Sequence, residues 1–410
     1  MKLCLVGEKL SHSYSKEIHN LMGLDYSHTE VERGKLKAFV ENNDYSGYNV
    51  TIPYKKEIIP YLDYVDASAQ KVGAINVVNV VDGKRYGYNT DISGMEYMIK
   101  RKGVSVYNKC VLVLGTGGTS NTALTLMNKL GAKKVTVVGR TSPVNYENCY
   151  ELTGTQIIIN TTPVGMTPDL LGKAVDIKRF PNLIAVFDAV YNPQRTAIVR
   201  EALSLNLVAS SGLPMLVEQA LCGEDIWLNK THTECDSENM IFEIAKRKLN
   251  IALTGMPSSG KSTVGKLLAK RLNRPFFDVD DEVYAKTSKT PAEIIKTQGE
   301  SVFRQIESEV VKELSAKSGA VIALGGGSIL SKENRECIAS NCVSVYIKRD
   351  LSLLKTNGRP ISQEKGVEKL YNERKAFYES ANVTVLNNEQ IENTVKEIIE
   401  KYEIACSKWS

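Results

Sequence analysis

Several features that mark common protein classes are missing from this sequence. Its 410 residues include four histidines, which form no HxxxH or HExxH unit, and eight cysteines, which form no CxxC pair. Such spacings are typical of zinc sites and of redox or disulfide frameworks. A metal site built on histidine is therefore not expected, and the cysteines are predicted to be reduced and mostly buried.

Long apolar runs and long basic tracts are absent as well. No segment approaches the length needed to cross a bilayer, and the N-terminal MKLCLVGEKL becomes polar too early for a signal peptide. The net charge of +5 suits small anions as well as nucleic acid, but basic and aromatic residues do not alternate as in nucleic-acid-binding segments. We expect a cytoplasmic protein that binds small molecules and neither membrane nor nucleic acid.

Two glycine-rich turns divide the chain instead. CVLVLGTGGTSNTALTLMNKLG (110–131) and NIALTGMPSSGKSTVGKLLAKRL (250–272) each predict a buried strand, a tight turn and an amphipathic helix. Around them, short β-branched runs alternate with helical periods, which indicates an α/β fold of parallel sheets covered by helices. We expect three α/β domains, at residues 1–100 (completed by a helix at about 224–248), 101–223 and 249–410.

The stretch GYNVTIPYKKE (47–57) predicts a strand that runs into a helix opened by Pro53. Lys55 and Lys56 would then lie in the first helical turn, where the helix dipole favours acidic residues. This misplaced charge suggests that one of the two lysines has a chemical role.

The segment GMPSSGKST fits the P-loop pattern, in which backbone N–H groups surround the phosphates of ATP or GTP. Lys261 would reach the outer phosphates and Ser262 would ligate Mg²⁺. Asp278 and Asp280 are predicted to share one face at the tip of the strand in FFDVDDEV, with Asp278 as a second Mg²⁺ ligand. The residues predicted to bind ATP are Gly255, Ser259, Gly260, Lys261, Ser262 and Thr263.

Later segments place charged and small residues at fixed distances from the P-loop. ESVFRQIESEVV, ALGGGSIL, TNGRPIS and YNERKAFY contain Arg304, Gly325, Gly326, Gly327, Arg359 and Arg374. In this order and spacing, residues 250–387 resemble shikimate kinase, with gluconate and nucleotide kinases as the alternatives. The expected fold is a P-loop domain like that of nucleoside monophosphate kinases.

This resemblance implies specific roles. Asp280 would contact the hydroxyls of shikimate, Arg304 and Arg374 would pair with its carboxylate, and the three glycines would allow close approach of the ring. Lys261, Asp280 and Arg359 are the implied catalytic residues, with Arg359 in a lid that neutralises charge on the moving phosphoryl group.

The earlier glycine turn, GTGGTS, places Gly115, Gly117 and Gly118 where a Rossmann domain binds a dinucleotide, with Ser120 as the third small residue. After the next strand, KVTVVG, an NAD-binding enzyme would carry an acidic residue, but this chain has Arg140 and Thr141. Arginine can pair with a 2′-phosphate, so NADP is the predicted cofactor.

The opening hundred residues contain polar groups at the ends of apolar segments, as a site for a hydroxylated acid requires. These segments, together with NTTPVGM, DAVYNPQRT and SGLPMLVEQA, resemble shikimate dehydrogenase over residues 1–248. The resemblance implies a Lys55–Asp91 catalytic pair. It also implies substrate contacts from Ser13, Ser15, Asn49, Thr51, Asn76, Tyr191 and Gln219.

The two resemblances support one reading of the whole chain. A dehydrogenase that forms shikimate would be joined to a kinase that phosphorylates it, giving a bifunctional enzyme of aromatic amino-acid biosynthesis with NADP(H), ATP and Mg²⁺ as cofactors. The alternatives are a metabolite-sensing regulator without turnover, or a chain in which only one half is active. Oligomeric state, use of quinate and direct transfer of shikimate between the sites are left open by the sequence.

Overall fold

The computed structural model describes residues 1–10, 13–354, 366–388 and 390–409. By density of internal contacts the chain forms two compact units. Unit 1 comprises Met1–Val164, Lys173–Tyr191 and Glu201–Ile241, and unit 2 comprises Gly165–Gly172, Asn192–Arg200 and Phe242–Ser410. In the described part of the chain, no helix has both the length and the apolar character to cross a membrane.

Unit 1 begins with a six-stranded sheet in the order β2-β1-β3-β5-β6-β4. The strands are β1 Lys2–Gly7, β2 Asp25–Glu30, β3 Gly47–Val50, β4 Tyr64–Val65, β5 Val77–Val81 and β6 Lys84–Tyr88. The helices are α1 Ser15–Leu21, α2 Leu36–Asn42, α3 Ala67–Val72 and α4 Asp91–Lys100, with a 3₁₀ turn at Ile59–Tyr61. The sheet is mixed, not parallel throughout, because β5 pairs antiparallel with both β3 and β6. A two-residue turn with positive φ at Asp82 and Gly83 joins β5 to β6 as a hairpin.

The helix predicted to open at Pro53 does not form, so that expectation was wrong. Residues 52–58 are a series of turns. In an α-helix the carbonyl of Lys55 would accept a hydrogen bond from residue 59, but here it accepts one from the N–H of Ile75, at 2.7 Å. This link to a distant segment holds Lys55, so the dipole argument made for its charge does not apply.

The second sheet of unit 1 is parallel throughout, in the order β11-β10-β9-β7-β8. Its strands are β7 Cys110–Leu114, β8 Lys134–Val138, β9 Ile157–Asn160, β10 Ala185–Asp188 and β11 Val208–Ser210. The helices in this part of the chain are α5 Gly118–Lys129, α6 Ala197–Ser204, α7 Leu213–Leu228 and α8 Glu234–Lys248, with 3₁₀ turns at Cys149–Glu151 and Ile177–Arg179. The first four residues of α6, and α8 from Phe242 onward, belong to unit 2. The strand order reverses beside β7, which is the place where open α/β sheets bind ligands.

Unit 2 is built on a third sheet, also parallel, in the order β13-β14-β12-β15-β16. Its strands are β12 Asn250–Thr254, β13 Phe276–Asp278, β14 Val321–Ala323, β15 Cys342–Lys348 and β16 Val383–Leu386. The helices are α9 Lys261–Leu272, α10 Val279–Thr287, α11 Pro291–Gln298, α12 Glu300–Ser315, α13 Lys332–Asn341, α14 Val367–Glu379 and α15 Ile391–Ser407, with 3₁₀ turns at Ser328–Leu330 and Leu351–Leu353. The predicted α/β class is confirmed.

The segment Asn192–Arg200 contacts the rest of unit 2 through several bonds. The N–H of Arg195 donates to the carbonyl of Ser340 at 2.9 Å. Its guanidinium lies 4.3 Å from the centre of the Trp409 ring and donates to the carbonyl of Lys408 at 2.9 Å. A short piece of chain that ends in the first turn of α6 thus packs against residues near the C-terminus of unit 2.

Candidate active sites

Lys55 and Asp91 form an ion pair in unit 1. Nζ of Lys55 lies 2.7 Å from Oδ2 of Asp91, and their side chains are 21% and 10% exposed. Asp91 is the first residue of α4, where a carboxylate interacts favourably with the helix dipole. The predicted pair is thus held together, with the lysine still reachable by a substrate.

Asn76 connects this pair to a second helix. Its amide Nδ2 donates to Oδ1 of Asp91 at 3.1 Å and to Oε1 of Gln219, on α7, at 3.2 Å. Its Oδ1 accepts from the N–H of Thr90 at 2.7 Å, and the Thr90 hydroxyl donates to the carbonyl of Gln219 at 2.8 Å. Four of the predicted residues, Lys55, Asn76, Asp91 and Gln219, therefore belong to one hydrogen-bonded cluster.

Asn49 extends the cluster towards a buried network in the first sheet. Its Nδ2 donates to the carbonyl of Asn76 at 3.2 Å, and its Oδ1 accepts from Tyr26 at 2.5 Å. His19 lies 3.2 Å from the same oxygen and 2.7 Å from Glu224, and both of these side chains are fully buried. This network fixes the orientation of the Asn49 amide.

The other predicted substrate contacts of unit 1 are placed less directly. Ser13 and Ser15 are joined through their hydroxyls at 3.1 Å, before and at the start of α1. Tyr14, between them, lies against Tyr191 with ring centres 5.0 Å apart, and burial raises the pKa of Tyr191 to about 12. Thr51 follows the end of β3 and is half-buried, with its N–H donating to the carbonyl of Val6.

The predicted dinucleotide turn connects β7 to α5. Gly115 has φ of 108°, and a Cβ there would lie 2.8 Å from the Thr161 hydroxyl, so a side chain is excluded. Gly117 is the N-cap of α5 and Gly118 its first residue, and a Cβ at either position would meet no neighbour within 4 Å. The N-terminus of α5 is thus open to a phosphate group. Ser120 is buried against the sheet.

Arg140 and Thr141 follow the end of β8, which pairs in parallel with β7. Both residues are exposed. A Cβ at Gly139 would collide with the methyl group of Thr116, which places this end of β8 directly beside the glycine turn. Arg140 and the glycine turn therefore lie at the same edge of the sheet.

The P-loop of unit 2 runs from β12 to α9 and lines a cavity of about 810 Å³. Nζ of Lys261 donates to the carbonyls of Gly255 and Met256, at 3.0 Å each, so the side chain lies across the loop. The cavity is also lined by the predicted residues Gly260, Ser262, Thr263, Asp278, Asp280, Arg304, Gly325, Gly326, Gly327 and Arg374. Ser259 is buried beneath the loop.

The expectation that Asp278 and Asp280 share a strand face was wrong. β13 ends at Asp278, which caps α10 by accepting from the N–H of Asp280 at 3.1 Å, so Asp280 lies in the first helical turn. Oδ2 of Asp278 also accepts from the hydroxyl of Ser262 at 2.5 Å. Burial raises the pKa of Asp280 to about 6, and the carboxylates of Asp278 and Glu307 act in the same direction.

The two predicted arginines Arg304 and Arg374 line the same cavity, as does Arg349, which was not predicted. Arg304 donates to Glu307 at 2.7 Å and to Glu300 at 3.0 Å, and a Cβ at Gly327 would lie 2.6 Å from its guanidinium. Arg374 donates to the carbonyl of Gly326 at 3.1 Å. Nε of Arg374 is buried with no hydrogen-bond partner within the described ranges, which leaves a donor for an anionic ligand. The predicted lid residue Arg359 lies outside the described residues.

Residues 5–78 match the family model for the shikimate dehydrogenase substrate binding domain. The shikimate dehydrogenase (NADP(+)) of Clostridium beijerinckii is 35% identical over 260 residues, which are 58% of this chain and 94% of that protein. That of Caldicellulosiruptor bescii is 36% identical over 273 residues, 59% of this chain and 93% of the relative. The chain belongs to the shikimate dehydrogenase family.

Solved structures agree. Shikimate dehydrogenase 1 of Peptoclostridium difficile has 34% identity and a TM-score of 0.55, covering 59% of this chain and 97% of its own. The shikimate 5-dehydrogenase of Thermus thermophilus, solved with NADP(H) and shikimate, has 26% identity and a TM-score of 0.53, covering 59% and 99%. Residues 257–403 match the shikimate kinase family model, so the chain carries a shikimate kinase domain as well. Both predicted resemblances are confirmed.

Some residues of these clusters were not predicted. Thr90 directly precedes Asp91 in GYNTDISG, and its position beside a predicted residue was an available signal. His19 and Glu224 had none, because each acts through a partner that is distant in sequence, such as Asn49 for His19. Glu307 lies three positions after the predicted Arg304 on α12, and this helical spacing was a local signal for an ion pair. Glu307, which is 1% exposed, accepts from the hydroxyl of Ser328 at 2.6 Å while pairing with Arg304.

Proposed function

We propose that this chain catalyses two consecutive reactions of the shikimate pathway. The dehydrogenase part reduces 3-dehydroshikimate to shikimate with NADPH, and the kinase domain transfers the γ-phosphoryl group of ATP to the 3-hydroxyl of shikimate. The observation that carries the proposal is the Lys55–Asp91 pair, held by Asn76 and Gln219, in the same chain as a P-loop cavity lined by Arg304 and Arg374.

In the reduction, the ketone oxygen gains negative charge and then a proton. Lys55 donates a hydrogen bond and then its proton to that oxygen, while Asp91 holds the ammonium group in place at 2.7 Å. Asn49, Asn76, Gln219 and the two serines orient the ring hydroxyls and carboxylate. NADPH, when bound at the glycine turn, supplies the hydride, and Arg140 pairs with its 2′-phosphate.

In the phosphorylation, Asp280 accepts hydrogen bonds from the shikimate hydroxyls, and Arg304 and Arg374 bind its carboxylate. The unpartnered Nε of Arg374 supports this role. The hydroxyl of Ser262 and the carboxylate of Asp278 are hard oxygen donors that fit Mg²⁺, which would neutralise charge on the phosphates. Lys261 and the loop amides bind the phosphate oxygens, and we keep Arg359 as the proposed lid residue.

The test supplies 3-dehydroshikimate and NADPH, then Mg²⁺ and ATP, and follows NADPH loss and ADP release separately. Lys55→Ala is expected to lower reduction about 10²–10⁴-fold, because the proton donor is lost, and to spare the kinase. Lys261→Ala is expected to lower ADP release about 10²–10³-fold and to spare reduction. Lys56→Ala, at the exposed neighbouring lysine, is the matched control and is expected to leave both activities unchanged.

The outcomes separate the proposal from its alternatives. Absence of both signals in the unsubstituted chain would favour a metabolite-sensing protein without turnover. One signal without the other would mean that a single half is active. Loss of both activities in either alanine variant would contradict the assignment of one reaction to each site.

A further inference from the structure

A cluster of three potential metal ligands lies beside the middle of α7, outside both sites described above. Glu218 and Cys222 are one turn apart on α7, and His232 follows in the segment that leads to α8. Nε2 of His232 lies 3.2 Å from Oε1 of Glu218, and Sγ of Cys222 lies 3.9 Å from the same oxygen. One ligand atom from each residue lies within 4.8 Å of the other two.

Two of these separations are close to those of a tetrahedral zinc site, and the third, between Cys222 and His232, is within 4.8 Å. Zinc binds thiolate sulfur at about 2.3 Å and imidazole nitrogen or carboxylate oxygen at about 2.0–2.2 Å, so neighbouring ligand atoms lie roughly 3.3–3.6 Å apart. Shifts of a few tenths of an ångström would therefore bring Glu218 and His232, and Glu218 and Cys222, to coordination geometry.

Surrounding residues orient two of the three ligands. Nδ1 of His232 lies 2.7 Å from Oδ2 of Asp225, which favours a proton on Nδ1 and leaves the lone pair of Nε2 facing Glu218. The hydroxyl of Ser237 donates to Oε2 of Glu218 at 2.6 Å, so that Oε1 faces the cluster. A carboxylate behind a histidine is the usual support of a metal-ligating imidazole.

We propose that Glu218, Cys222 and His232 form a binding site for a divalent cation of the zinc type. A carboxylate and a thiolate balance the charge of the cation, and histidine contributes a neutral ligand. All three side chains are partly exposed, which leaves a fourth position for water. No HxxxH or CxxC pattern marks these ligands, because they combine a helix turn with a residue ten positions after Cys222.

A cation bound at this site would restrain α7, the helix that carries Gln219. A bound cation would tie this helix to the chain segment before α8, next to the residue that contacts Asn76. Because an ion that binds only the folded state stabilises it, Zn²⁺ is expected to raise the thermal unfolding temperature of the full-length chain.

Co²⁺ is the probe for the test, added to the full-length, chelator-treated protein in a non-thiol reductant. We expect one Co²⁺ per chain with a thiolate-to-cobalt charge-transfer band, visible bands of four-coordinate cobalt, and loss of both on adding Zn²⁺. Cys222→Ser and His232→Ala are expected to abolish the charge-transfer band or weaken Co²⁺ binding at least tenfold. Asp225→Asn is expected to weaken it about 10–100-fold.

Cys235→Ser is the matched control, since Cys235 is exposed near the start of α8 and lies outside the cluster. The Cys235→Ser variant is expected to keep the full thiolate-to-cobalt charge-transfer band. The Mg²⁺ site proposed for the kinase has oxygen ligands only, so it cannot produce a thiolate band. Absence of the band from the unsubstituted protein, or its survival in Cys222→Ser, would overturn the proposal and leave His232 as a protonated bridge between two carboxylates.

Discussion

At the scale of single residues, loss of solvation in the cavity raises the pKa of Asp280 to about 6, and the carboxylates of Asp278 and Glu307 act in the same direction. If Asp280 accepts hydrogen bonds from shikimate, protonation removes that function. We expect kcat/KM for shikimate in the kinase reaction to fall about tenfold per pH unit below pH 6. Asp280→Asn should lower kcat/KM for shikimate at all pH values and should remove its fall below pH 6, while the KM for ATP changes little.

Asp281→Asn is the control for that pH profile, because Asp281 is exposed on the same helix and does not line the cavity. The Asp281→Asn variant is expected to retain the fall of kcat/KM below pH 6. A fall that also persists in Asp280→Asn would assign the titration to another group and contradict our role for Asp280.

Protein stability gives an independent readout of Asp280. The folded chain binds this proton more tightly than the unfolded chain, whose carboxyl has a pKa near 3.8, so stability is lost as pH rises through about 6. Asp280→Asn is therefore expected to raise the unfolding temperature of the ligand-free protein at pH 7.5, by an amount that corresponds to about 1 kcal/mol or less. Water in the open cavity screens the charge and keeps the effect small. At pH 4 the difference should vanish.

At the scale of elements, α4 and α7 are held so closely that only glycine fits between them. A Cβ at Gly94 on α4 would collide with the carbonyl of Met215 and lie 3.1 Å from Cβ of Gln219. Gly94→Ala should therefore push α7 away from α4 and separate Gln219 from Asn76. We expect a loss of about 1–3 kcal/mol in stability and a lower kcat/KM for reduction, measured by calorimetry and NADPH consumption.

Lys100→Ala is the matched control on α4, since Lys100 is exposed at the other end of the helix. It is expected to change stability by no more than about 0.5 kcal/mol. Normal reduction by Gly94→Ala would show that the spacing of these helices does not position Gln219.

Local motifs explain why so many of these elements could be predicted. The strand, turn and helix around Gly115, and again around Lys261, follow from residues within about twenty positions of each other. One error came from a partner far away in sequence. The carbonyl of Lys55 bonds to Ile75 instead of continuing a helix, and no local pattern announces that bond.

Two further features have local sequence signals that agree with the observed structure and not with the prediction. Asp278 is a good N-cap residue, yet β-branched and aromatic neighbours in FFDVDDEV favoured a longer strand. The DG turn at Asp82 and Gly83 is typical of a hairpin, and this local signal was not used in predicting parallel sheets. The Lys55–Asp91 pair was predicted from the resemblance, whereas the hydrogen bonds that support it are visible only in the structure.

At the scale of the whole molecule, the two units have separate buried cores. The core of unit 2 includes Val310, Ile322 and Tyr378, whereas that beneath the second sheet of unit 1 includes Met95, Val113 and Phe187. We therefore expect two unfolding transitions in calorimetry. NADPH should raise the free energy of unfolding of one unit, and ATP with Mg²⁺ that of the other. Each increase should be about 2.7 kcal/mol at a hundredfold excess of ligand over its dissociation constant, and should appear as a higher transition temperature. A single transition that responds to both ligands would contradict separate cores.

The stacking of Arg195 on Trp409 bears on how such a fused enzyme can be taken apart. A truncation after residue 248 would remove Trp409, Lys408 and Ser340, and would leave the polar groups of Arg195 without their partners. A fragment that begins at residue 249 would lack Arg195 itself. The boundary visible in the sequence is therefore a poor place to divide the gene, and variants that silence one site within the intact chain are the cleaner genetic dissection.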